Sequence, residues 1–389
     1  MTEFNVYEGL RLVINKWPIR TPKSKNLTKL LQLIFTPEEA EIMSFFEQPM
    51  VDQVPEGKFI KRVKSKTDKY TDEQIINILD GLARRCFVTR QSKVTDTGKL
   101  KVKYSIWPMV IGIFEWFFSK AAMEDDTYSE ETIKKVSKLF EKYFYEGFIW
   151  EVGPSNYPWA RILPAHQANK IVEINQKLNI DKPIVLPFEQ VKNAVEKAKK
   201  IAIIKCACRT EGKYKDNVCD KPIDICMVLD DSSGFEYADM VVKNPTTEEA
   251  LELLKQAEKK GLVHCTSNSQ QMNFICNCCY CHCGILRGFT EMGNPRAFMK
   301  SNYLAEFNEN ECQECFRCIE ICPTKAIKHI MKHEKDNARW EIEFDKCIGC
   351  GLCASNCPTK RIDLKKVRNE IPVETVAESY MRMERERVL

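Results

Sequence analysis

The sequence has no glycine-rich GxGxxG turn, no GxxxxGK[ST] phosphate loop and no GxSxG nucleophile elbow. The backbone cradles usual for dinucleotides and nucleoside triphosphates are therefore missing, which argues against flavin, nicotinamide or nucleotide binding. Long hydrophobic runs are missing as well. The longest, Ile106 to Phe118 (IWPMVIGIFEWFF), has 13 residues, is broken by Pro108 and Glu115, and is too short to span a bilayer. It is expected to be a core helix. Charge of one sign is also lacking: 59 Lys and Arg face 55 Asp and Glu, a net +4. Residues 1–120 hold 20 basic against 14 acidic side chains, a local excess of +6 that is mild for nucleic-acid binding. The N-terminus MTEFNVYEGL has acidic residues where a signal peptide would be basic and then apolar. Reduced thiols in a cytoplasm are the resulting expectation.

What the chain has in quantity is cysteine, 19 in 389 residues. Cys312, Cys315, Cys318 and Cys322 precede Pro323 as CxxCxxCxxxCP, and Cys347, Cys350, Cys353 and Cys357 precede Pro358 in the same pattern 35 residues on. Three thiolates at three-residue intervals can wrap one cubane from a single loop, and the fourth reaches to the other cluster of a pair. The expected ligand sets are Cys312, Cys315, Cys318 and Cys357 for one [4Fe-4S] cluster, and Cys347, Cys350, Cys353 and Cys322 for the second. The flanks ECQECFRCIEICPTKAI and KCIGCGLCASNCPTKRI repeat too, which predicts two halves about a pseudo-twofold axis. Gly349 and Gly351 let the backbone approach the sulfurs. Glu314 and Phe316 replace them in the first copy, so that loop is expected to be bulkier and better shielded. Zinc would favour separated CxxC pairs over runs ending in CP.

A second constellation lies upstream. Cys206, Cys208, Cys219, Cys226, Cys276, Cys278, Cys279, Cys281 and Cys283 fall in the segments IKCACRTEGKYKDNVCDKPIDICM and FICNCCYCHCG. If 276–283 is extended, Cys276 and Cys278 face one side and Cys279, Cys281 and Cys283 the other, enough for two centres or for one centre and a thiol pair. At least one further iron–sulfur centre is expected from Cys208, Cys219 and Cys226 with cysteines of the 276–283 run. A structural zinc and a metal-free redox dithiol are the alternatives. Arg209 would depress neighbouring thiol pKa values. Of the histidines, His282 is a candidate ligand inside the run, while His264, His329 and His333 read as core or surface residues.

The fold class expected is α+β multidomain: a winged-helix-like N-terminal domain, a central α/β cysteine-rich domain and a C-terminal bacterial-type dicluster ferredoxin fold. The boundaries are 1–120 for the winged-helix-like part, 121–182 for a helical connector, 183–299 for the central domain, 300–366 for the ferredoxin and 367–389 for a C-terminal helix. Thr36-Pro37-Glu38-Glu39 and Thr71-Asp72-Glu73-Gln74 are capping boxes that start helices. Val88 to Ile106 reads as a hairpin around Thr97-Gly98. DNA binding would use residues 72–85 with Lys99, Lys101 and Lys103, but Asp72, Glu73 and Asp80 oppose phosphate, so a docking role is preferred. Ser129 opens a helix, and YPWARILPAH should loop over the surface. Helix 188–200, strands 201–205 and 226–230, the helix after Thr246 closed by Gly261, strand LVHCTS and strand NFICNCC give the alternating pattern of the centre. AIKHIMKH and ARWEIEFD form an added hairpin, and a charged helix runs from Val373 to Arg387.

At FTPEEAE, CxCR (206–209), CDKPIDICM (219–227), GLVH (261–264), ICNCCYCHC (275–283) and both ferredoxin motifs, the chain resembles multidomain 4Fe-4S ferredoxin-type proteins of anaerobic bacteria and archaea. His282 stands where that family often has another cysteine. The resemblance implies iron–sulfur binding and electron transfer, with no settled reaction or substrate. The function expected is relay of low-potential electrons to a partner oxidoreductase or redox complex. The rivals are a redox-responsive DNA regulator and a reductase with its site in the central domain.

Overall fold

The computed structural model describes residues 5–94, 96, 98–123, 127–165, 190–230, 240–308, 310–330 and 339–388. Part of the connector (166–182), the start of the helix expected from Phe188, Thr97 and His333 lie outside the described residues. The chain divides into an N-terminal unit, 1–152 with 205–219 and 231–241, and a C-terminal unit, 153–204 with 220–230 and 242–389.

In the N-terminal unit both capping boxes form. Thr36 and Glu39 satisfy each other's backbone N–H at the start of helix Pro37–Ser44, and Thr71 and Gln74 do so for helix Asp72–Arg84. Helix Asp72–Arg84 buries Ile75, Leu79 and Leu82, and helix Glu56–Lys64 buries Phe59 and Val63, the spacing of a single apolar stripe in each. Strands Val88–Val94 and Leu100–Ile106 pair antiparallel with Ser92 opposite Val102. Val54–Pro55 pairs on the other edge of Leu100–Ile106, giving a three-stranded sheet. Helix Glu130–Glu146 is capped by Ser129 as expected.

The apolar stretch Ile106–Phe118 is not one helix. Ile106 ends a strand, Val110 and Ile111 have extended backbone angles, and the helix starts at Phe114 and runs to Ala121. Pro108 has no N–H to give a helix. The Glu115 carboxyl group accepts the Gly112 N–H at 2.6 Å, an interaction that closes a turn ahead of the helix.

The C-terminal unit is built on a six-stranded sheet in the order Ala160–Leu163, Val263–Ser267, Phe274–Cys278, Asp224–Leu229, Ile201–Lys205, Val241–Lys243. Ala160–Leu163 corrects the expectation of a surface loop. All four residues are buried, with Ile162 opposite Cys265. Pro158 and Pro164 bracket a short strand, and a strand covered on both faces carries no alternation to reveal it. The first four strands of that order pair antiparallel, so the site-placing rule for parallel sheets does not apply here. Helix Thr247–Lys259 packs Ala250 and Leu254 into the core with Ile203, Met227 and Ile275. Gly261 follows its last turn in the left-handed region at φ 73°.

The ferredoxin segment folds as two matching halves. Tyr303–Phe307 pairs antiparallel with Ile362–Lys366, and Ile327–Ile330 with Arg339–Ile342, the expected added hairpin. Each CxxCxxC loop leads into a short helix, Arg317–Ile321 or Leu352–Ser355. Helix Val376–Arg385, shorter than expected, has its own capping box at Thr375, and Arg382 lies 4.3 Å from the centre of the Tyr157 ring.

Candidate iron–sulfur centres

The duplication in the sequence is a duplication of backbone conformation. Glu314 and Gly349, Phe316 and Gly351, and Lys325 and Lys360 all have φ between 51° and 72°. Ala326 donates its N–H to Cys322 Sγ at 3.2 Å, and Arg361 donates to Cys357 Sγ at 3.2 Å. The Thr324 and Thr359 hydroxyls sit 3.8 and 3.6 Å from the same two sulfurs. Two CPT turns thus present their cysteine in one geometry, with N–H groups aimed at sulfur.

Cys312, Cys315, Cys318 and Cys357 line one cleft, together with Phe316, Trp340 and Arg361. Burial and the neighbouring Cys312 and Cys357 push the Cys318 thiol up to about 11. In the other set, burial raises the Cys350 and Cys353 thiols, reinforced by each other's neighbours Cys322 and Cys347. The two loops differ in cover, and the difference reverses the expectation. Cys312 and Cys315 are exposed, while Cys347, Cys350 and Cys353 are buried. Phe316 lines the cleft and packs against His329 and Trp340, yet is itself 40 % exposed and leaves Cys312 and Cys315 open. The second loop is covered because Ser301, Tyr303 and Ala165 pack on it: Ser301 bonds the Gly349 carbonyl and Ala165 the Cys350 carbonyl. The cleft also fits a sulfur-rich guest chemically. Arg361 Nε is buried with no partner among the described residues, and it lines the cleft as a spare donor.

The central cysteines fall into separate groups. Cys206 caps, and Cys208 lies in, helix Ala207–Lys213 of the N-terminal unit, whose buried Glu211 takes a bond from Ser137 to its carbonyl oxygen at 2.8 Å. Arg209 on the same helix is buried. Cys219 is the last residue of the 205–219 segment. In the C-terminal unit, Cys276 makes side-chain hydrogen bonds with Cys226 and Cys278, and Cys278 with Cys265, Cys276 and Cys283. The bond to Cys265 is the largest influence lifting Cys278 to about 12. At Cys276 the bond with Cys226 acts downward, and the bond with Cys278, burial and the nearby thiols outweigh it.

Strand geometry ends at Cys278. A Cys283 N–H to Cys279 O bond of 3.2 Å closes a turn, and Cys283 caps helix Gly284–Thr290. The strict alternation expected through 283 therefore fails after 278, and Cys283 joins Cys276 and Cys278. Cys279, Cys281 and His282 form another group with ligand atoms within 4.8 Å of one another.

Reading the sequence missed Cys265, brought in by its register opposite Cys276. It also missed Asn277, which donates to the Ile225 carbonyl at 2.6 Å and lies 2.7 Å from His264 Nδ1. His264 is a core residue, as one reading had it, and Glu258 lies 3.3 Å from its Nε2. No single-residue signal marks these contacts, because they cross between strands. The 279–283 turn also meets the ferredoxin segment: Lys325 Nζ lies 5.5 Å from the centre of the Tyr280 ring.

No helix among the described residues is long and apolar enough to cross a membrane. No curated protein and no solved structure matches the chain. Residues 305–364 match the family model of the 4Fe-4S dicluster domain. The chain therefore carries a ferredoxin-type dicluster segment, and with its many further cysteines it is suited to iron–sulfur electron transfer.

Proposed function

We propose that this protein is an electron carrier or the electron-transfer subunit of an oxidoreductase. Cys312, Cys315, Cys318 and Cys357 would hold one [4Fe-4S] cluster, and Cys347, Cys350, Cys353 and Cys322 the other. Cys226, Cys276, Cys278 and Cys283 are our assignment for a further iron–sulfur centre. A bound cubane supplies one-electron chemistry, at a potential set by burial and by hydrogen bonds to sulfur. The observation that carries this reading is the convergence of Cys357 with Cys312, Cys315 and Cys318 on one cleft, although Cys357 lies 39 positions after Cys318.

The unequal cover of the two loops supports a direction of docking. The exposed loop, with Phe316 at its rim, is the face offered to a redox partner. Residues 300–366 hold 12 Lys and Arg against 11 Asp and Glu. Shape, more than long-range charge, then selects the partner.

For residues 1–120, the three-stranded sheet and the helices before it support the winged-helix reading, in a docking role. Asp72 pairs with Lys64 at 3.1 Å. Asp80 accepts from Tyr104 at 2.8 Å and Arg90 at 3.1 Å. Acidic groups thus occupy the helix that would face phosphate, and DNA is not the favoured partner.

Iron analysis and EPR of anaerobically purified protein test the proposal. About twelve irons per chain and spin-coupled signals from reduced clusters are expected. Iron-replete protein that shows no such signals on reduction would falsify it. About eight irons would confine the clusters to the ferredoxin segment.

A further inference from the structure

Cys279, Cys281 and His282 stand apart from the thiols assigned to iron. Their ligand atoms lie within 4.8 Å of one another, and Cys279 Sγ is 3.5 Å from His282 Nδ1. A tetrahedral zinc with Zn–S of about 2.3 Å and Zn–N of about 2.0 Å has a sulfur-to-nitrogen edge of roughly 3.5 Å. A cubane places its four protein ligands on four different iron atoms, which spreads them wider than ligands sharing one ion. The donor set agrees with the distance. Two thiolates and an imidazole suit zinc.

Burial supports a ligand here as well. Cys279 and His282 are 2 % and 3 % exposed, at a turn closed by the Cys283 N–H bond to the Cys279 carbonyl. Three donors lie in four consecutive residues, so one ion can fix the whole turn.

We propose that Cys279, Cys281 and His282 bind a single zinc ion, in a site separate from the iron–sulfur centres. Cys279 and Cys281 each release a proton on binding, and His282 coordinates as the neutral imidazole. Nδ1 is the coordinating atom, since it faces Cys279, which leaves Nε2–H as donor to the surroundings. These three side chains fill three of the four positions of a tetrahedral zinc ion. The ion would hold the turn bearing Tyr280 rigid beside Lys325 of the ferredoxin segment.

Metal analysis of the full chain, purified anaerobically, tests this. About one zinc per chain is expected beside the iron. Cys281→Ser and His282→Ala should each lower zinc at least about fivefold while leaving iron content and the cluster EPR signals unchanged; those signals also show that the variants fold. His282→Cys should restore zinc. Iron-replete protein without zinc, or both variants retaining zinc in full, overturns the assignment. So does loss of about four irons in either variant, which would make these residues cluster ligands. The electron-transfer reading fails separately, through absence of the EPR signals in a zinc-replete protein.

Discussion

Ser301 donates its hydroxyl to the carbonyl oxygen of Gly349 across 2.7 Å, and a Cβ on Gly349 would lie 2.1 Å from that same hydroxyl oxygen and from the Tyr303 carbonyl. The second cysteine loop is thus buried by a contact that only glycine allows. At φ 69° a side chain would be strained as well.

Gly349→Ala should therefore destabilise the fold by about 2 kcal/mol or more, and lower iron content by up to about four per chain. The matching change in the first loop, Glu314→Gly, should be neutral or stabilising by up to about 1 kcal/mol, since Glu314 is exposed at φ 51°. Thermal melts with iron analysis check the pair. Equal effects at both positions would show that cover does not distinguish the loops.

Exposure should also order the thiols chemically. In iron-depleted, reduced protein, iodoacetamide at pH 7.5 should label Cys312 and Cys315 first. Cys350 and Cys353 should be slowest, because burial both blocks the reagent and raises their pKa, which lowers the thiolate fraction. Peptide mass spectrometry over time gives the order. Uniform labelling would contradict the burial difference.

Asn277 ties two cysteine-bearing strands together, through its bond to the Ile225 carbonyl and its contact with buried His264. Asn277→Leu removes one partner from each, leaving buried polar groups unsatisfied. A loss of about 2–4 kcal/mol is expected. Chemical denaturation should register that loss, with a concurrent drop in any iron beyond about eight per chain. Unchanged stability would mean that His264 and Ile225 find other partners.

Burial raises the Glu115 carboxyl to about 8, against the pull of the Gly112 and Glu115 N–H groups. Between the ordinary carboxylate range and pH 8, the folded state keeps a proton that the unfolded chain has lost. Stability from this group is thus full below the unfolded value, falls as pH rises through that window, and levels off above about 8. The slope is up to about 1.4 kcal/mol per pH unit. Glu115→Gln should remove it, so the variant gains on the wild type from pH 6 to pH 8 in urea melts. A difference that stays constant with pH would exclude the buried, protonated state.

The sequence by itself determined the elements with local physics. The capping boxes at Thr36 and Thr71 both form, because a cap is decided within four residues. The paired CxxCxxCxxxCP motifs are legible for the same reason, since the spacing of cysteines along one loop fixes what that loop can wrap. Tertiary structure alone decided what crosses between segments: Cys265 beside Cys278, Asn277 against Ile225 and the buried strand Ala160–Leu163. Relative cover of the twin loops belongs with these. Glu314 and Phe316 make the first loop bulkier in sequence, yet the second is the buried one, because Ala165, Ser301 and Tyr303 come from elsewhere in the chain to cover it.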